Sequence, residues 1–349
     1  MLQVLSPYNG TLIRELPFND QEDVESSLQI ASNLFKNKAG WIPAHERIGI
    51  LESFVLLLQQ HQDELIELAI NEGGKPYQDT KVEVGRAIQG VKLATQGINA
   101  LHGTEVPMGL TASSTNRKAF TTKEPIGVVV VISAFNHPVN LIIHQAITAF
   151  SSGCPVIIKP ALTTPLSALK IQELLIQAGV PVNWFQVLIC SNEHAEVLAA
   201  DSRVNYLSFI GSAKIGWRLR SKVSEGTRCM LEHGGAAPVI IEDDAELDEV
   251  IPSLLKGAFY HAGQVCVSVQ RVYTSNVLAT KLATKLAQQT VKLVVGDPAN
   301  KSTDVGPLIT PEEVDRVEQW VDEAVRAGAT LVCGGKRMSK YCYEPTVLL

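Results

Sequence analysis

Five short segments hold residue types that could do chemistry together. In Gly263-Gln264-Val265-Cys266 a cysteine follows a glycine turn. Such a place can present both a sulfur and its backbone N–H to a cleft, as a thiolate nucleophile requires. A cysteine there can equally be buried core filler. In Leu231-Glu232-His233-Gly234-Gly235 a carboxylate precedes two glycines that let backbone approach a ligand. Glu232 is a candidate general base, or else a solvated side chain at a glycine hinge; His233 is assigned no role. Phe135-Asn136-His137-Pro138 offers an amide able to donate to an oxyanion, or a plain turn before a helix. Gly211-Ser212-Ala213-Lys214-Ile215-Gly216 opens a helix whose free N–H groups could hold a phosphate, although the spacing is not GxGxxG. Lys159-Pro160 closes an apolar run and could meet a ribose or phosphate, or only cap a strand.

The elements around these segments set where they sit. Val128-Val129-Val130-Val131-Ile132, Val156-Ile157-Ile158, residues 185–189 and residues 206–210 are short β-branched or apolar runs that alternate with helical stretches. That alternation predicts a parallel sheet covered on both faces, with ligands beyond the carboxyl ends of its strands. Before it, turn chemistry at Ser6-Pro7-Tyr8-Asn9-Gly10 leads to three predicted helices. The first starts at Asn19-Asp20-Gln21-Glu22, the second covers about 44–71 and the third about 81–102. Residues 112–123 read as a polar, strand-like segment. A second α/β unit follows Gly234-Gly235, with strands at 239–241 and near Val272 and Leu331, and helices at about 245–260, 277–294 and 311–327. The fold class is therefore α/β.

Composition narrows the function. With 46% hydrophobic and 19% charged residues the chain can bury large cores, which excludes wholesale disorder. A net charge of −6 leaves no basic excess, so no nucleic-acid partner is expected. The longest aliphatic run, 126–135, is far short of the roughly 20 residues a membrane span needs, so no membrane partner is expected either. Met1-Leu2-Gln3-Val4 has no basic leader. Six dispersed cysteines form no CxxC pair, which argues against a zinc ribbon and fits a reducing, cytoplasmic setting.

Taken in order, Asn136, Lys159, Gly211-Ser212-x3-Gly216, Glu232-x-Gly234-Gly235 and Gly263-Gln264-x-Cys266 resemble the signature set of the aldehyde dehydrogenase superfamily. The resemblance extends from Ser6-Pro7-Tyr8-Asn9-Gly10 through Val305-Gly306-Pro307-Leu308-Ile309 to Tyr343-Glu344-Pro345-Thr346-Val347, nearly the whole chain. It implies a Rossmann-type parallel-sheet cofactor domain (residues 1–111 and 124–234), an oligomerisation strand segment (112–123) and a catalytic domain (235–349). It also implies a mechanism. Cys266 attacks an aldehyde, Asn136 and the Cys266 N–H hold the oxyanion, NAD or NADP accepts a hydride, and Glu232 activates water against the thioester. Lys159, Gly211, Ser212, Gly216, Phe135, Ala161 and Leu162 would line the cofactor site; His137, Asn140 and His144 would line the substrate tunnel on one helix face.

The departures from the family pattern are specific. Leu162 stands where an acid usually grips the ribose 2′-hydroxyl, which removes the usual reason to prefer NAD over NADP. Phe135 replaces a tryptophan, and His233-Gly234-Gly235-Ala236 replaces Leu-Gly-Gly-Lys. The segments around Asn136 and Cys266 are similar to those of enzymes for small oxygenated aldehydes, such as lactaldehyde or glyceraldehyde 3-phosphate. The polar His137, Asn140 and His144 fit a small hydroxylated or anionic aldehyde. Glu232 argues against transfer of the acyl group to coenzyme A, since that branch needs no such base. The family's Glu-x-Phe-Gly-Pro motif does not occur in this sequence. The resulting expectation is an incomplete catalytic domain with open sheet edges, a doubtful homo-oligomer, and as the alternative function a catalytically weak or inactive protein that binds nucleotide or a partner.

Overall fold

The computed structural model describes residues 1–349. An N-terminal hairpin, β1 (Leu2–Leu5) and β2 (Leu12–Leu16), leads into α1 (Gln21–Lys36), α2 (Ala44–Gln60), α3 (Gln62–Gly73) and α4 (Tyr77–Gly97). Asp20 caps α1 by accepting from the N–H groups of Glu22 and Asp23, while Asp23 bonds back to Asp20. The single helix predicted over 44–71 is two helices. At His61 the backbone leaves helical geometry (φ −100°, ψ 18°), and beyond it the His61 ring bonds Glu64 in the first turn of α3 at 2.7 Å. At the end of α3, Gly74 takes the left-handed conformation (φ 69°) that ends a helix without Cβ strain.

A small hairpin, β3 (Glu105–Val106) and β4 (Ala119–Phe120), precedes the main sheet. Here the strand-like reading of 112–123 is corrected. Only Ala119–Phe120 is strand, and Ala112–Ser114 is a 3-10 turn that Thr111 caps. Its serines and threonines bond one another and the local backbone rather than a ladder.

The central sheet has the order β7 (Phe185–Val187), β6 (Val156–Lys159), β5 (Val128–Ile132), β8 (Val204–Gly211), β9 (Arg228–His233), all parallel. The period of two explains its two cores. Val129 and Val131 face the core built with α2, α3, α4 and α7 (Leu166–Gln177). Val128, Val130 and Ile132 face the other, built with α1, α8 (Asn192–Ala200) and α9 (Ala213–Arg220). Between β5 and β6 runs one continuous helix in three pieces. α5 (Asn140–Ile142) and α6 (Thr148–Ser151) flank a π turn over Ile143–Ile147.

The second α/β unit pairs β10 (Val239–Ile241) with β11 (Val272–Thr274) in parallel and β12 (Leu331–Cys333) with β13 (Val347–Leu348) antiparallel. α10 (Leu247–Phe259), α11 (Asn276–Thr290) and α12 (Pro311–Arg326) surround them. Its core is small, eight buried residues against 33 and 16 in the two cores of the main sheet. An apolar cleft of about 570 Å³ lies open between the two strand pairs, lined by Leu254, Phe259, Leu282, Leu286, Val321 and Leu348 among others. No helix is long and apolar enough to cross a membrane.

Candidate active site

The carboxyl ends of four adjacent strands bring four of the sequence segments onto one edge. Lys159 ends β6, Asn136 lies just beyond β5, Gly211 and Ser212 end β8, and Glu232 lies near the end of β9. Parallel strands all point the same way, so segments far apart in sequence arrive as neighbours in space. The fifth segment lies across this edge. The Asn136 Nδ2 donates to the Gln264 carbonyl at 2.9 Å, and a Cβ at Gly235 would come within 3.0 Å of the Cys266 carbonyl. Gln270 fastens the same junction, through its N–H to Ala236 at 3.2 Å and its Nε2 to Gly235 at 3.3 Å.

Cys266 is exposed, unlike the buried Cys154, Cys190 and Cys342. It reaches the surface because α10 ends in a short left-handed run, His261 (φ 50°), Ala262 (φ 54°) and Gly263 (φ 75°). For the two non-glycine residues this conformation costs on the order of 1 kcal/mol each. Packing holds it. The His261 ring is fully buried against Phe135, 6.4 Å away and edge-on. Burial, with Lys75 and His137 nearby, keeps that ring neutral, its pKa well below the usual histidine range. Gln264 then locks the turn, donating to the His261 and Pro307 carbonyls and accepting from the Ile309 N–H at 2.8 Å.

The three tunnel residues named from the sequence occupy different settings. His144 is exposed, its Nε2 3.7 Å from the Glu232 carboxylate. The π turn lets the next residue, Gln145, point the other way and donate to the Ser208 hydroxyl at 2.9 Å. His137 stacks on Tyr260 at 6.0 Å, and burial followed by the Lys75 charge pushes its pKa down to about 4. It is a neutral imidazole near pH 7. Asn140 is half-buried, with its backbone N–H engaged by Glu83 at 3.0 Å.

The residues read as a nucleotide cradle fit a nucleotide. A Cβ at Gly216 would lie 2.2 Å from His233 Nε2, and one at Gly211 would lie 2.7 Å from the Phe209 ring. Only glycine lets α9 start this close to the sheet, with free N–H groups at its N-terminus. Ser212 is its exposed N-cap and makes no capping bond of its own, so its hydroxyl is free for an anion. Lys159 is buried, donates to Asn192 at 3.2 Å, and has its pKa lowered by burial. Ala161 and Leu162 follow it half-buried, Leu162 packing on Val4, Leu166 and Ile189.

Four charged residues beneath the site escape the sequence reading. Glu72, Lys75, Asp79 and Glu83 are all buried. Lys75 bonds Glu83 and Asn136, Asp79 bonds Lys256 of α10, and Glu72 accepts from Leu166 and Ser167 at the start of α7. A signal existed. Asp79 and Glu83 lie on the α4 stripe that also carries Val84, Ala87, Ile88 and Val91, and carboxylates on a buried stripe demand partners.

The family model described as the aldehyde dehydrogenase family matches residues 1–349. The chain belongs to the aldehyde dehydrogenase family. It is 37% identical over 348 residues to the 3-sulfolactaldehyde dehydrogenase of Priestia megaterium, covering 99% of this chain and 72% of that one. Aldehyde dehydrogenase 21 of Physcomitrella patens, solved with the reaction product succinate, superposes with a TM-score of 0.94 at 32% identity, covering 99% and 72% of the two chains. Glyceraldehyde-3-phosphate dehydrogenase GapN of Methanocaldococcus jannaschii, complexed with NADP, gives 0.93 at 31% identity over 100% and 75%. Aldehyde dehydrogenases are oxidoreductases that use NAD or NADP, and the glycine cradle above is compatible with either.

Proposed function

We propose that this aldehyde dehydrogenase oxidises a small anionic or hydroxylated aldehyde to its carboxylic acid through a thioester on Cys266, with NAD or NADP as acceptor. Residues 1–111 and 124–234 carry the cofactor and 235–349 carry the nucleophile. The observation that carries the reading is the Asn136 amide bonded to Gln264 O, two residues before an exposed cysteine. An amide nitrogen has two hydrogens. One is committed to Gln264, which leaves the other, together with the Cys266 N–H, for the oxygen of a bound aldehyde.

The Cys266 thiolate forms a bond to the aldehyde carbon, and the carbonyl oxygen becomes an oxyanion between those donors. The nicotinamide, when bound, supplies the hydride acceptor that no side chain can. As the oxyanion collapses, the former aldehyde carbon loses its hydrogen as hydride to that acceptor, and a thioester is left on the sulfur. Glu232, exposed to water at the end of β9, takes a proton from a water that attacks this carbon, and the C–S bond breaks to return the thiolate. His144, 3.7 Å from Glu232, sits where that proton can pass to solvent.

Support for an anionic substrate comes from the polar residues around the cysteine and from the relatives, whose names carry sulfonate, carboxylate and phosphate groups. A purified chain should be assayed with 3-sulfolactaldehyde, succinate semialdehyde, glyceraldehyde 3-phosphate and hexanal, each with NAD and NADP. Higher kcat/KM for at least one anionic aldehyde than for hexanal is expected. Preference for hexanal would overturn the substrate class, and no turnover of any aldehyde would overturn the dehydrogenase reading in favour of a nucleotide-binding role.

A further inference from the structure

Lys75 follows the left-handed Gly74 and turns inward between α3 and α4, with 1% of its surface exposed. Its ammonium has two partners, the Glu83 carboxylate and the carbonyl oxygen of Asn136 at 2.9 Å. Glu83 is equally buried. Its other oxygen accepts from the N–H groups of Val139 and Asn140 at 2.9 and 3.0 Å. Those are free donors at the start of a helix. The turn from Asn136 to Asn140 is thus gripped at both ends, at its carbonyl by a cation and at its N–H groups by an anion.

The Asn136 side chain has little else to fix it. Its Oδ1 is buried without a partner, and its only bond is Nδ2 to Gln264. The direction of its free N–H therefore depends on how its backbone is held. Tyr260 and His261 close the same cluster from the other side and supply no second anchor, since both His261 nitrogens are unpartnered. A buried ion pair contributes little net stability compared with apolar residues of the same size, because both charges lose their water. Stability alone gives no reason for a lysine and a glutamate here.

We infer that Lys75 and Glu83 are positioning residues that aim the Asn136 amide at the oxygen of the substrate. The inference rests on the reading of Asn136 as an oxyanion donor.

The test is Lys75→Met combined with Glu83→Gln, which removes both charges and leaves neither unpaired. Single-turnover hydride transfer to the nicotinamide is followed with a good anionic aldehyde. The rate should fall by about tenfold or more, as small misplacement of a reacting group does, while KM and cofactor affinity stay within about twofold of wild type. In an Asn136→Ala background the same pair of changes should slow the reaction no further. Equal factors in both backgrounds would mean a general structural role and overturn the inference. A second measurement needs no turnover. Hydrogen exchange of the Asn136 side-chain amide should be slow in the wild type and markedly faster in the Lys75→Met, Glu83→Gln variant, and equal exchange in the two proteins would overturn the inference. Absence of aldehyde turnover in the wild type would sink the oxyanion reading, while amide exchange would still decide whether the pair fixes Asn136.

Discussion

Asn136 and Gln264 meet through a single hydrogen bond of 2.9 Å that spans 128 positions of sequence. Gln264 presents its backbone oxygen to Asn136 while its side chain ties the cysteine loop to Pro307 and Ile309. The glutamine of the Gly263-Gln264-x-Cys266 segment therefore sets how Asn136 stands to the cysteine loop, which in the proposed mechanism is the spacing of oxyanion donor and nucleophile. Gln264→Leu keeps the volume and the backbone carbonyl but frees the loop. Its thioester formation should slow by about tenfold or more, measured as the rate of the first turnover. A first-turnover rate equal to wild type would show that the loop needs no such tie.

The covalent mechanism separates two steps. Cys266→Ala should abolish aldehyde oxidation and leave cofactor affinity unchanged, because the sulfur is exposed and supports nothing around it. Glu232→Gln should allow one equivalent of reduced cofactor to form and then stall, with an acyl adduct visible by mass spectrometry of the intact protein. Steady release of acid at the wild-type rate would remove Glu232 from the role of base.

The cofactor prediction rests on Leu162, which stands where the family resemblance places the ribose-binding acid. It offers no acceptor to a 2′-hydroxyl and no negative charge against a 2′-phosphate, and it packs on Val4, Leu166 and Ile189 instead. NADP should bind at least as well as NAD. Leu162→Glu should then weaken NADP by about tenfold or more through repulsion. NAD binding that already exceeds NADP binding by about a hundredfold in the wild type, some 3 kcal/mol, would show that other residues decide the matter.

Glu72 carries a pH dependence of stability. Burial pushes its carboxyl from 4.5 up to about 7, against the bonds it accepts from Leu166 and Ser167 at the start of α7. The folded value lies above the unfolded one. The contribution is fully present below about pH 4.5 and is lost as pH rises to about 7, a change on the order of 3 kcal/mol for this one group. Glu72→Gln removes the titration and keeps an acceptor. Relative to that variant, the wild type should lose thermal stability between pH 5 and pH 8. Parallel stability profiles for the two proteins would show that Glu72 does not titrate in this window.

Much of this arrangement is legible in the sequence, for a physical reason. The all-buried Val128–Ile132 strand, the capped start of α1 and the glycines at 211 and 216 each answer to local rules of burial, capping or close approach. What local rules do not contain is partnership across the chain. The serines and threonines near 112 bond one another instead of a strand, and Lys75 finds a carbonyl 61 positions away. A lysine between Gly74 and Pro76 reads as the solvated end of a helix until the sheet edge is in place above it. Residue types and the family resemblance named Cys266, Glu232 and Asn136, whereas the partners of Lys75 and Glu83 beneath them come from the folded chain.

The order of the strands has a consequence for how the protein is made. Every residue of the sheet edge, from Asn136 to Glu232, lies ahead of Gln264 and Cys266 in the chain. At a synthesis rate of roughly 5–20 residues per second, Asn136 leaves the ribosome on the order of ten seconds before its partner across 128 positions. Helices form far faster than that. Lys75 and Glu83, both within the first 83 residues, therefore lie on finished helices while Gln264 and Cys266 are still untranslated. During that interval the Asn136 amide has no Gln264 carbonyl to meet and stays open to water.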